Sequence, residues 1–177
     1  MTYDLIRRNN LSTIKFWNRK YLYHPPKGIN DMNTDAQIDY GRKLIFYGIM
    51  LFLIGLITGL IIPLLQNPRM GLSSHLEGIM NGIFLMIIGL IWPKLTLTDK
   101  LSRWCYALAL FGTFTNWFTT LLAGVWGAGS EMMPLAGGAL RGTEWQEGII
   151  KFGLISLTVS MLAVCVLLLK GIKSKAS

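Results

Sequence analysis

The sequence predicts an all-α fold, an integral membrane bundle of four transmembrane helices. Three observations carry this. Of the 177 residues, 52% are hydrophobic and only 15% are charged, where a soluble domain carries roughly 25% charged residues. Mean hydropathy is +0.45. The shortage of charge is also local, concentrated in four long windows that are apolar all round, whereas the helices of a soluble bundle alternate apolar and polar faces. This excludes a disordered chain, a disulfide scaffold and a nucleic-acid module, despite a formal charge of +8 and a pI near 9.7. In such a chain the basic excess is first an orientation signal.

Residues 1–43 form a basic extension, cytoplasmic or interfacial, with eight Lys or Arg and four Asp. It lacks the apolar stretch of a cleavable signal peptide. Leu11, Ile14, Trp17 and Tyr21 recur at helical spacing beside basic residues, which fits an interfacial helix and equally a cytoplasmic tail. Residues 44–172 form the transmembrane domain, and 173–177 a short basic tail. The first window, Leu44 to Leu65, runs about 22 residues without a charge, enough to cross a bilayer. The second runs from Gly78 to Leu95, interrupted late by Pro93. The third is Trp104 to Trp126, and the fourth Ile149 to Leu169.

Four spans place the N-terminus, the 96–103 loop and the C-terminus on one side. That side holds fourteen Lys or Arg, and the other only Arg69, Arg141 and Lys151. Both termini are therefore expected in the cytoplasm, with the bundle in the inner membrane. Trp92, Trp104, Trp126 and Trp145 lie near span ends, as an aromatic belt requires. Cys105 and Cys165 are far apart in apolar stretches and read as small buried hydrophobes.

Polar groups within hydrocarbon are costly and need a reason. Asn81 falls in the second span and Asn116 near the middle of the third. Either an interhelical hydrogen bond, worth about 0.6 kcal/mol on average, explains each of them, or a site does. Glu77 and Asn81 are four apart and share a helix face. His75 lies roughly 120° around the helix from Asn81, so the three are expected to line two walls of one pocket. Gly55-Leu-Ile-Thr-Gly59 and Gly78-Ile-Met-Asn-Gly82 are small-xxx-small patterns. Close helix packing is the better reading of the first, and close approach of a flat ligand competes with it for the second. Glu147 and Lys151 have ion-pair spacing. Glu144, Gln146 and Glu147 either reach a pocket mouth or form a solvated helix start.

His75 is the one histidine in the apolar region, since His24 lies in the extension. It reads either as a polar interfacial residue or as a haem ligand in a bundle able to hold a cofactor. There is no Cys/His cluster for zinc, no phosphate-binding Gly-rich loop and no nucleophile with an evident base. An enzyme of this kind works without a nucleotide cosubstrate, which favours an isomerisation.

The run Asn67-Pro-Arg-Met-Gly-Leu-Ser-Ser-His75-Leu-Glu-Gly-Ile-Met-Asn81-Gly resembles the hydroxylaminobenzene mutase family. So do Ile91-Trp-Pro-Lys, Asn116-Trp, Trp126-Gly-Ala-Gly-Ser-Glu-Met-Met-Pro and Gln146-Glu-Gly, over a stretch from about Leu44 to Leu169. The architecture is also similar to the more distant styrene oxide isomerases, which share His75, Asn81-Gly82, Pro93, Asp99-Lys100, Arg103 and Asn116 at the same spacings. The resemblance implies a homotrimer with haem b between subunits. His75 would be the axial iron ligand, and Gly78 and Gly82 would lie beside the cofactor. Asn81 would orient the substrate oxygen, and Glu77, Asn116 and Thr120 complete the candidate catalytic set. The epoxide isomerases have a tyrosine where this chain has Thr120, a departure that leans toward the mutase. The function so implied is ferric Lewis-acid conversion of a small aromatic substrate, an arylhydroxylamine, to a 2-aminophenol. Two alternatives stand beside it, an epoxide isomerase and a non-enzymatic haem-binding or structural membrane subunit. No nucleic acid is expected as partner; the lipid bilayer is.

Overall fold

The computed structural model describes residues 31–173, and the side chains of 39–172. The expected interfacial helix around Trp17 and His24 lie outside the described residues. Four long helices, α1 (Asp31–Ile61), α2 (Pro68–Ile91), α3 (Asp99–Trp126) and α5 (Glu144–Lys173), are joined by short connections, with one short helix α4 (Pro134–Gly137) in the last. The described residues include no strand. Four segments are long and apolar enough to cross a membrane: Asp39–Leu64, Pro68–Lys94, Asp99–Trp126 and Glu144–Ile172. Their outer faces stay apolar and unpacked, with Leu60 80%, Met80 64% and Phe152 74% exposed, as lipid contact requires.

The second span starts ten residues earlier than hydropathy alone placed it. Asn67 caps α2, its Oδ1 accepting from the backbone N–H groups of Arg69 and Met70 at 3.0 and 3.3 Å, with Pro68 in the first turn. A cap and an N-terminal proline define a helix start that charge and polarity hide. Ser73 and Ser74 then satisfy their hydroxyls on backbone carbonyls, of Arg69 and Trp117. Pro63 and Pro93 each sit in a 3-10 turn, closing α1 and α2. Gly127 ends α3 in the left-handed conformation, φ +61°.

The α1–α2 seam is built from glycines. A Cβ on Gly41 would lie 2.9 Å from the Gly89 carbonyl oxygen, one on Gly48 2.7 Å from that of Gly82, and one on Gly55 2.8 Å from the carbonyl carbon of Gly78. The two backbones touch, so no side chain fits between them. Helix α3 packs against both α2 and α5. Its Gly112 meets Met161, and Ser160 Oγ donates to Leu108 O at 3.2 Å. Apolar packing is concentrated toward one end, around Leu44, Leu85, Trp92, Cys105 and Val164, with a smaller cluster of Met70, Ala123, Ala128 and Ile150 at the other.

Two expectations need correction. Trp92 is fully buried rather than part of an aromatic belt, packed edge-on against Tyr40 at 6.0 Å, because it falls on the inward face of the closing turn. Trp104 and Trp145 are more than half exposed. Cys105 is buried but Cys165 is exposed, and both are free.

Candidate active site

Two polar features lie on different sides of α2. The first is His75. Its Nδ1 lies 2.8 Å from the carbonyl oxygen of Gly55 on α1. A carbonyl only accepts, so Nδ1 carries the hydrogen and Nε2 is left as the basic nitrogen. The ring needs the space beside Gly59, where a Cβ would come 2.7 Å from Nδ1. Two glycines on α1 therefore hold the imidazole, one through its carbonyl and one by having no side chain. A backbone carbonyl that fixes the tautomer is a common outer-shell partner of a metal-binding histidine. No cluster of three His, Cys, Asp or Glu side chains exists among the described residues, so a bare metal ion lacks a ligand set.

The second feature joins α2 to α3. Glu77 Oε2 accepts from Asn81 Nδ2 at 3.0 Å and from Asn116 Nδ2. The i,i+4 spacing puts Glu77 and Asn81 on one face, and Asn116 comes from the adjoining helix. Asn81 is buried, and Glu77 and Asn116 are half-buried. Thr120 lies one turn beyond Asn116, but its hydroxyl donates within its own helix, to the carbonyls of Asn116 and Trp117 at 2.9 and 3.0 Å.

The structure thus brings Glu77, Asn81 and Asn116 together and leaves the Thr120 hydroxyl out of their network. It also separates His75 from them. Residues 75 and 77 lie roughly 200° apart around a helix, so one turns to α1 and the other to α3. Within the chain they bond to different neighbouring helices. Gly78 and Gly82 face α1: a Cβ on Gly78 would lie 2.6 Å from Gly55 Cα, and one on Gly82 2.7 Å from Gly48 O. Within one chain that surface is filled by helix rather than open to a flat ligand. The donor chemistry of His75 fits a haem iron; the glycines supply no cradle in a single chain.

At the far end of the bundle, Glu147 does not pair with Lys151. It is buried, and its Oε1 accepts from the N–H groups of Gly129 and Gly142 at 2.9 and 3.1 Å. Two loop amides outcompete an exposed lysine because, once buried, they have no water to turn to. Gln146 Oε1 accepts from Thr143 N at 2.8 Å, a helix-start contact rather than a pocket mouth. Asn67 completes this end, its Nδ2 donating to Ala136 and Gly137 carbonyls at 3.0 and 3.3 Å. Sequence reasoning missed the Gly55 carbonyl, which has no side-chain signal. It also missed Gly41 and Gly48, although their seven-residue spacing with Gly55 was there to be read.

Four helices long and apolar enough to cross a membrane, with a carboxylate and two amides meeting between α2 and α3, define a membrane protein that carries a polar cluster within its spans. The comparisons with known proteins make that class an isomerase: the chain belongs to the styrene oxide isomerase family, whose model matches residues 40–173. It is 53% identical over 142 residues to hydroxylaminobenzene mutase HabB of Ectopseudomonas oleovorans, covering 80% of this chain and 85% of that one. It is 45% identical over 125 residues to hydroxylaminobenzene mutase HabA of the same organism, covering 71% and 93%. No solved structure matches the chain. The reading as a non-enzymatic subunit is set aside.

Proposed function

We propose that this isomerase is a haem-dependent mutase converting hydroxylaminobenzene-type arylhydroxylamines to 2-aminophenols. We place it in the inner membrane with both termini cytoplasmic, as a homotrimer with haem b between subunits. The observation that carries the reading is His75, pinned through Nδ1 to Gly55 so that Nε2 is the free basic nitrogen. The names of two relatives and the chain's coverage of them support the substrate class.

A ferric haem held by His75 would supply Lewis acidity toward the N–OH oxygen. The chain's own residues do the rest. Asn81 and Asn116 hold the polar end of the substrate, and the apolar helix faces exclude water from it. The overall change breaks N–O and ortho C–H bonds and forms C–O and N–H bonds, so it consumes no net electrons. This agrees with a sequence that has no nucleotide-binding motif. The separation of His75 and Asn81 on α2 is compatible with such an assembly, in which one chain's histidine would lie opposite another chain's amides. An epoxide isomerase is the second reading, favoured by the family description.

The test is the absorption spectrum of the detergent-purified protein. A Soret band that His75→Ala abolishes or strongly shifts is expected. A colourless protein that haemin cannot reconstitute would overturn the cofactor assignment.

A further inference from the structure

We propose that the face of α3 from Lys100 to Phe114 binds an anionic phospholipid. Lys100 and Arg103 hold its phosphate, and an acyl chain lies in the apolar groove that follows. This face shares no residue with the candidate active site and does not depend on the mutase reading.

The charge comes first. Thr96 N donates to Gly171 O at 3.0 Å, tying the α2–α3 connection to the end of α5. Lys94, Lys100, Arg103 and Lys170 therefore gather at one end of the bundle. Two acids with described side chains lie there, Asp39 and Asp99. Asp39 pairs with Lys43 at 2.6 Å, the one ion pair among the described residues, so Asp99 pairs with neither Lys100 nor Arg103. Those two cations are exposed and three residues apart on one helix. Like charges at that spacing repel, and an anion between them turns the repulsion into attraction. A guanidinium takes a phosphate through two parallel hydrogen bonds.

The shape of the surface then selects the kind of anion. A groove of about 500 Å³ is lined by Lys100, Arg103, Trp104 and Ala107. Trp104 is more than half exposed, in the place of an indole at the headgroup level. Ala107 lies between Trp104 and Phe111 along the helix and adds only a methyl group. A second groove, of about 420 Å³, starts at the next turn between α3 and α1. Leu110, Phe111 and Phe114 line it with Tyr47 and Met50. Residues 103, 107, 110 and 114 follow the spacing of a single helix face, so the second groove continues the first. From Arg103 to Phe114 the helix rises about 16 Å, close to half of a hydrocarbon core roughly 30 Å thick. A basic mouth over an apolar groove one leaflet deep fits one acyl chain below one phosphate. Basic pockets on membrane helices recognise anionic headgroups in this way.

The experiment uses the full-length protein in a neutral detergent, with bound lipid and oligomeric state read by native mass spectrometry. The probes are phosphatidylglycerol, phosphatidylcholine with the same chains, and inorganic phosphate as competitor. Wild type should prefer phosphatidylglycerol by about 25-fold, from two cations at about fivefold each. Lys100→Gln/Arg103→Gln should bring that preference within about threefold. Lys94→Gln/Lys170→Gln removes the same charge at the same end, outside both grooves, and should keep most of it. Ala107→Phe leaves every charge in place but fills the groove. It should weaken phosphatidylglycerol about tenfold or more, the worth of roughly two buried methylene groups.

Equal affinity of wild type for the two lipids overturns the proposal. An equal loss in the two double variants also overturns it, because the end would then attract anions without a site. Displacement of the lipid by inorganic phosphate at equal concentration would make this a free-anion site instead. Dissociation of an oligomer in Lys100→Gln/Arg103→Gln, with lipid binding unchanged, would assign the face to a second copy of the chain. If that variant fails to fold, Ala107→Phe decides, and undiminished phosphatidylglycerol binding by it refutes the groove.

Discussion

Substituting alanine for Gly78 tests how the glycine seam supports the site. The added Cβ would lie 2.6 Å from Gly55 Cα and 3.0 Å from Trp117 Cδ1. The first neighbour is backbone, so relief requires α1 and α2 to separate. Overpacking of this kind costs typically about 1–3 kcal/mol. For a chain of this length, each kcal/mol moves the melting temperature by about 2–4 °C, so Gly78→Ala should melt about 2–12 °C lower. Gly148 provides the internal control. It lies in α5, and a methyl group added there would meet no heavy atom within 4 Å. Gly148→Ala should therefore gain about 0.5–1 kcal/mol from reduced backbone entropy and helix propensity. The same chemical change should act with opposite signs at two helical glycines. Separation of the helices also draws the Gly55 carbonyl away from His75, so, with haem bound as proposed, Gly78→Ala should shift the Soret band. The assay is thermal unfolding in detergent followed by circular dichroism. Gly78→Ala melting within about 1 °C of wild type, or Gly148→Ala falling further than Gly78→Ala, would mean that the α1–α2 seam tolerates a side chain at Gly78.

Thr120→Val removes a hydroxyl that bonds only to its own helix, so arylhydroxylamine turnover should change less than about threefold; a loss of tenfold or more would put that hydroxyl in the site. Glu147→Ala leaves the N–H groups of Gly129 and Gly142 without their acceptor, at about 1–3 kcal/mol each, and limited proteolysis should cut the 127–143 connection faster than in wild type. A reporter fused at the C-terminus should be active only in its cytoplasmic form, since fourteen of the seventeen Lys and Arg fall on that side; activity only in the periplasm reverses the orientation.

Much of the architecture was legible because hydrocarbon imposes a simple rule, that long uncharged runs become spans. Helix starts were less legible. Ser73, Ser74, His75 and Glu77 broke the apolar run, yet Asn67 and Pro68 had already begun α2. The tie between Glu77 and Asn81 could be read from their spacing, and Asn116 was singled out for its depth, but nothing in the sequence aligned α3 so as to bring it to Glu77. The location of His75 was legible and its partner was not, because a backbone carbonyl leaves no trace in residue type. Glu147 misled because ion-pair spacing is a local signal, whereas its burial and its two loop amides are set by the tertiary fold. Trp92 misled in the same way: position near a span end suggests an interface, but only packing decides which way the ring turns.

The proposed activity of this membrane isomerase is on an N–OH bond. The most direct test is turnover of hydroxylaminobenzene and styrene oxide by one wild-type preparation, followed by product chromatography. The expected product is 2-aminophenol, with conversion of styrene oxide to its aldehyde slower or absent. Faster conversion of styrene oxide would contradict it.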